Sequence, residues 1–134
     1  MSESVSIARG RCECGAVAFE IDGPLRDVVA CHCTQCRRTS GHYSAYTSAC
    51  IAHVRFVTDE GLVWYRSSST AERGFCGRCG SNVFWRPLRE PERISIAAGS
   101  LEGDTGLTLS QHIFVADRGD YYTVPADEPQ RLGW

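Results

Sequence analysis

Two stretches decide how this chain reads: Gly10-Arg11-Cys12-Glu13-Cys14-Gly15-Ala16-Val17 and Phe75-Cys76-Gly77-Arg78-Cys79-Gly80-Ser81. The first carries a CxC pair and the second a CxxC pair, each followed by glycine. Short spacing of this kind suits a knuckle turn that aims two thiolates at one tetrahedral zinc ion, about 2.3 Å from each sulfur. Gly15, Gly77 and Gly80 are placed to supply the unusual backbone angles of such turns. One closed site would take Cys12, Cys14, Cys76 and Cys79. It would staple together segments about 60 residues apart and contribute on the order of 10 kcal/mol or more to folding.

A third stretch stands between them, Cys31-His32-Cys33-Thr34-Gln35-Cys36-Arg37-Arg38. Three thiolates with an open fourth position is a pattern of catalytic zinc. The open position suits an incoming thiol, whose pKa the metal would lower. Arg37 and Arg38 would offset the net negative charge of such a site or hold an anionic substrate. Tyr43 and Tyr46, just beyond, offer phenol donors. Other readings stand beside this one. The triplet is also compatible with a closed site completed by His32, His42, His53 or His112, with a redox trio, or with no metal. Cys50, alone in an apolar stretch, reads as a small buried hydrophobe.

The rest of the composition excludes several classes. The chain has 134 residues, which fits one domain, 1–134. Its eight cysteines would suggest disulfides in a secreted protein. However, Met1 to Gly10 is polar and lacks the apolar core of a signal peptide, so a cytoplasmic location is expected. A net charge of −2 argues against a general nucleic-acid or anionic-membrane binder, and no apolar run reaches the roughly 20 residues of a membrane span. All 14 basic residues are arginine, which removes Schiff-base and Walker-lysine chemistry.

Strand patterns dominate, at 16–21, 27–30, 43–51, 53–58, 62–66, 71–75, 82–86, 93–97 and 107–116. A short helical turn is expected after Cys36 and an irregular tail from Pro125. This spacing predicts an all-β fold of antiparallel sheets.

The three cysteine stretches together resemble the glutathione-dependent formaldehyde-activating enzyme family, which also contains centromere protein V. All seven clustered cysteines fall in family order, and the resemblance spans about residues 5–124. It implies a β-tent of folded sheets with two zinc ions per chain. It assigns Cys12, Cys14, Cys76 and Cys79 to a structural zinc and Cys31, Cys33 and Cys36 to a catalytic one. The implied activity is that of a carbon–sulfur lyase joining formaldehyde to glutathione. Arg37, Arg38 and Tyr43 are the candidate substrate contacts. One departure is visible: the family places Pro-Trp some way after its histidine, where this chain has Asp120-Tyr121 after His112. A zinc-stabilised glutathione carrier and a thiol redox protein are the competing functions.

Overall fold

A computed structural model describes residues 7–134. Ten strands form two sheets. The smaller contains β1 (Ala8–Arg11), β2 (Ala18–Ile21) and β5 (Val54–Thr58), in the order β1-β2-β5. The larger is built from β3 (Val28–Cys31), β4 (Ser44–Cys50), β6 (Leu62–Arg66), β7 (Ala71–Cys76), β8 (Asn82–Pro87), β9 (Arg93–Ala97) and β10 (Leu109–Ile113). Its order is β10-β3-β4-β9-β8-β7-β6. The all-β expectation stands. The one α-helix, α1 (Thr34–Ser40), follows β3.

Apolar side chains from both sheets make the core. Phe19 of β2 meets Phe84 of β8 with ring centroids 5.0 Å apart. Val17, Ile21, Val83, Ile94 and Ile96 are fully or almost fully buried around them. Burying a side chain of this size stabilises by about 1.5–3 kcal/mol. Strand β5 shows why alternation was readable, since Val54, Phe56 and Thr58 are half-buried while Arg55 and Val57 are exposed. Cys12 and Cys76 belong to this same core.

The structure refines several sequence expectations. The first strand expected, 16–21, starts only at Ala18, because Val17 is spent on the knuckle: its carbonyl accepts from Cys12 N at 2.9 Å. A strand not anticipated, β1, pairs with β2 from Ala8 onward. The polar reading of residues 1–10 falls largely on residues 1–6, which lie outside the described residues. The helix begins at Thr34, before Cys36, because the Cys33 sulfur caps it by accepting from Cys36 N at 3.3 Å. Strand 107–116 shortens to β10, since Phe114 turns to φ 55°. Finally, β10 runs parallel to β3, whereas every other strand pair is antiparallel. The tail assigned as irregular follows the outer edge of β10. His112 N donates to Pro129 O and Arg131 N to His112 O, both at 2.9 Å.

Candidate metal centres and the cavity beside them

Cys12 and Cys14 leave β1 at the first knuckle, and Cys76 and Cys79 leave β7 at the second. Their four sulfurs all lie within 4.8 Å of one another. Cys14 Sγ is 3.7 Å from both Cys12 Sγ and Cys76 Sγ. A tetrahedron with arms of about 2.3 Å has edges of about 3.8 Å, so the donor set fits zinc in both chemistry and size. Gly15 (φ 85°) and Gly80 (φ 81°) adopt the left-handed backbone that closes the knuckles. Gly77 does not take such an angle. A side chain there would instead meet Val63 Cγ2 at 2.9 Å. Hydrogen bonds favour the thiolate form of Cys79, while Cys14 in the same cluster is pushed up to about 11. Ser81 Oγ, 3.2 Å from Cys79 Sγ, leads the causes that hold Cys79 down to about 5.

The second cluster comes from one short segment. Cys31 ends β3, Cys33 caps α1 and Cys36 is buried on its first turn. The three sulfurs lie within 4.8 Å of one another, and among the described residues no histidine, carboxylate or further thiol joins them. Cys36 is pushed down to about 5, first by a hydrogen bond from the Cys31 thiol. Burial opposes that shift, and Arg73 assists it. The same shared proton and burial push Cys31 up. Arg73, 5% exposed on β7, points Nη2 at Cys36 Sγ (3.6 Å) and at Gln35 Oε1 (3.3 Å). Arg73 Nε and Ser44 Oγ are buried nearby without a hydrogen-bond partner. Three soft donors and an open fourth side fit a zinc site with three protein ligands.

None of the histidines that were candidates to close this site joins it. His32 is fully buried, with Nδ1 2.5 Å from the Tyr122 hydroxyl and Nε2 2.9 Å from His112 Nδ1. His112 Nε2 lies 2.7 Å from Glu128 Oε1. Burial, with nearby His112, holds His32 down to about 4, so it is neutral near neutral pH. A carboxylate only accepts, so His112 Nε2–H donates to Glu128, and a neutral His32 donates through one ring nitrogen and accepts through the other. This chain ties the Cys31–Cys33 turn to the tail. His42 Nδ1 pairs with the Tyr121 hydroxyl at 2.7 Å. The Nδ1 of His53 is buried without a partner.

The triplet opens into a cavity of about 580 Å³, lined also by Arg26, Arg73, Arg93, Tyr46, Trp85 and Trp134. Phe114, the one non-glycine residue with positive φ among those described, also faces it. The candidate contacts Arg37 and Arg38 are not in this cavity. They line a separate pocket of about 280 Å³ with Tyr121, and Arg37 Nη1 donates to Asp117 O at 2.9 Å. Tyr43 packs in tilted geometry against His32 at 4.8 Å and His42 at 4.3 Å. Tyr121 is exposed, and its neighbour Tyr122 reaches His32, between two cysteines of the triplet. Cys50 is half-buried at the end of β4, opposite Arg93, and all eight cysteines are free thiols. Sequence reasoning missed Arg26, Arg73, Arg93, Tyr122 and Glu128. Their only local signal was that they are charged or phenolic.

Fold and site together define a mostly β protein with two thiolate clusters, one closed and one open to a cavity. The family model described as glutathione-dependent formaldehyde-activating enzyme matches residues 7–117, and the chain belongs to that family. A Halomonas elongata protein, provisionally named a glutathione-dependent formaldehyde-activating enzyme, is 25% identical over 93% of this chain and 85% of its own. An uncharacterized lyase of Schizosaccharomyces pombe is 27% identical over 84% of this chain and 82% of its own. The crystal structure of a Rhodobacter sphaeroides protein is also similar, with a TM-score of 0.61 and 30% identity. That match covers 73% of this chain and 91% of the other. No helix among the described residues is long and apolar enough to cross a membrane.

Proposed function

We propose that this protein is a zinc-dependent carbon–sulfur lyase that makes or splits the adduct of a thiol and a small aldehyde. The thiol is of the glutathione type and formaldehyde is the model aldehyde. Cys31, Cys33 and Cys36 hold the catalytic zinc, and Cys12, Cys14, Cys76 and Cys79 hold a structural one. The observation that carries this reading is three sulfurs within 4.8 Å of one another, lacking a fourth ligand, on the wall of a large cavity. A zinc ion held there supplies Lewis acidity that favours the thiolate form of an incoming thiol.

The chain's own residues do the rest. Arg73 places a positive charge beside Cys36 and offsets the excess negative charge of three thiolates. Tyr46 lines the cavity, and burial pushes its phenol above the ordinary value. It therefore remains a hydrogen-bond donor for the oxygen on which charge develops. In the forward direction a sulfur–carbon bond forms, the carbonyl π bond breaks, and one proton passes from sulfur to oxygen. Nothing is oxidised or reduced. Trp85 and Phe114, half-buried on the cavity wall, limit water around the reacting carbon. Arg37, Arg38 and Tyr43 act in this reading by supporting the surroundings of α1.

Exchange NMR with glutathione and formaldehyde tests the proposal. Adduct formation and breakdown are expected to run well above the spontaneous rate and to be lost in Cys33→Ser. Tight glutathione binding with no rate gain would instead make the protein a carrier.

A further inference from the structure

The cavity carries a second functional group at its far end, and the strand register measures the distance to it. Strand β4 lines the cavity with Ser44, Tyr46 and Ser48, alternate residues on one face. Ser44 pairs with Cys31, so this end is the metal end. Ser48 marks the other end. Its carbonyl accepts from Arg26 N at 3.0 Å, and its hydroxyl accepts from Arg93 Nη2 at 2.8 Å. Arg26 spends Nε and Nη2 on the carbonyls of Asp27 and Tyr46, at 3.2 and 3.1 Å. Arg26 Nη1 and Arg93 Nε and Nη1 have no partner among the described residues.

Neither guanidinium has an ion pair among the described residues, whereas Arg9, Arg11, Arg55, Arg78 and Arg86 all do. Among the described residues Glu90 is the one side-chain carboxylate on the cavity wall, and it is exposed and pairs with neither. Arg26 is exposed as a residue, but partial desolvation of its guanidinium, followed by the charge of Arg93, pushes it below the ordinary arginine value. Two like charges held on one wall without a counter-charge are a cost that a bound anion removes.

We propose that Arg26 and Arg93 form a carboxylate subsite, so that the enzyme selects thiols that also bear a carboxylate about two residue lengths from the sulfur. Arg26 Nη2 donates to the carbonyl of Tyr46, two residue steps or about 7 Å along β4 from Ser44, and Arg93 Nη2 donates to Ser48, four steps or about 13 Å away, at about 3.3 Å per residue. In a glutathione-type tripeptide the sulfur sits on the central residue, so a terminal carboxylate lies about two residue lengths, about 7 Å, from it, which matches the nearer guanidinium. This inference rests on the proposed thiol reaction for the position of the sulfur. The arginine pair itself was observed independently of that reaction.

The test is calorimetry on the zinc-loaded protein with three probes: glutathione, its diethyl ester, and S-methylglutathione, which keeps both carboxylates but has no thiol. Wild type is expected to bind glutathione at least about 10-fold more tightly than the ester. Arg93→Gln should shrink that preference and the Arg26→Gln/Arg93→Gln double variant should abolish it, with zinc content unchanged. Equal binding of acid and ester by wild type overturns the subsite, and that arm needs no variant to fold. A preference that survives in a folded double variant also overturns it. S-Methylglutathione separates the two proposals. If it binds as tightly as glutathione and depends on the arginines, the subsite stands and the thiol reading falls. If binding needs the thiol and ignores the carboxylates, the subsite falls and the thiol reading stands.

Discussion

The two cysteine clusters use the same ligand atom at opposite scales of the chain. Cys12 and Cys14 meet Cys76 and Cys79 across a sequence separation of up to 67 residues, and Cys12 and Cys76 are continuous with the Phe19–Phe84 core. Cys31, Cys33 and Cys36 lie within six consecutive residues. Closing a long loop removes more entropy from the unfolded chain than closing a short one. The first cluster also joins two sheets, since β1 belongs to one and β7 to the other. An ion there acts on the whole fold. An ion at the second cluster constrains only the β3–α1 turn, which the backbone already shapes through the Cys33 cap. Ligand type therefore does not separate structural from chemical metal sites. Chain separation and the presence of an open side do.

The largest expected effect follows from that asymmetry. Cys79→Ser should cost on the order of 4 kcal/mol or more, seen as a fall in melting temperature above about 15 °C or as insolubility. Cys33→Ser should leave a folded protein within a few degrees of wild type but short of one zinc per chain. Melting curves and zinc content check both variants, and equal damage from the two would erase the distinction.

A smaller effect sharpens the same contrast. Arg73 contacts the second cluster only, through Cys36. Arg73→Gln should weaken zinc binding there by about 10-fold, the usual scale for a residue supporting a metal ligand, and leave the four-cysteine site unchanged. Chelator competition reads the two sites separately. A loss spread over both sites would show that Arg73 acts through general stability.

How much of this was legible beforehand depends on distance along the chain. Knuckle spacing is local, so the cysteine partition was readable, as were strands such as β5 and β9, whose alternation is uninterrupted. Arg37 and Arg38 were natural candidates because they follow Cys36. On a helix, however, each residue turns about 100° from the last, so the two next residues swing away from the buried face of Cys36. The arginine that does reach Cys36 is Arg73, 37 positions later, delivered by strand order. The parallel β10·β3 pairing and the tail beyond it belong to the same class. Nothing in the residues 107–134 themselves indicates which edge they will follow, and that edge brings Glu128, His112 and Tyr122 to His32.

That hydrogen-bonded chain offers the smallest and most selective test. Tyr122→Phe keeps the ring, which stacks near His32 at 5.4 Å, and removes only the hydroxyl hydrogen-bonded to His32 Nδ1. A buried polar atom left without its partner costs about 1–2 kcal/mol, so the melting temperature should fall by about 4–8 °C. The four-cysteine site has no contact with this chain and should keep its zinc. His32 sits between Cys31 and Cys33, so freedom gained by its ring passes directly to two ligands of the open cluster. Zinc affinity at that cluster should drop alongside stability. If stability falls while both zinc affinities hold, the Tyr122–His32–His112–Glu128 chain serves packing alone, and the open cluster is organised by its own turn and cap.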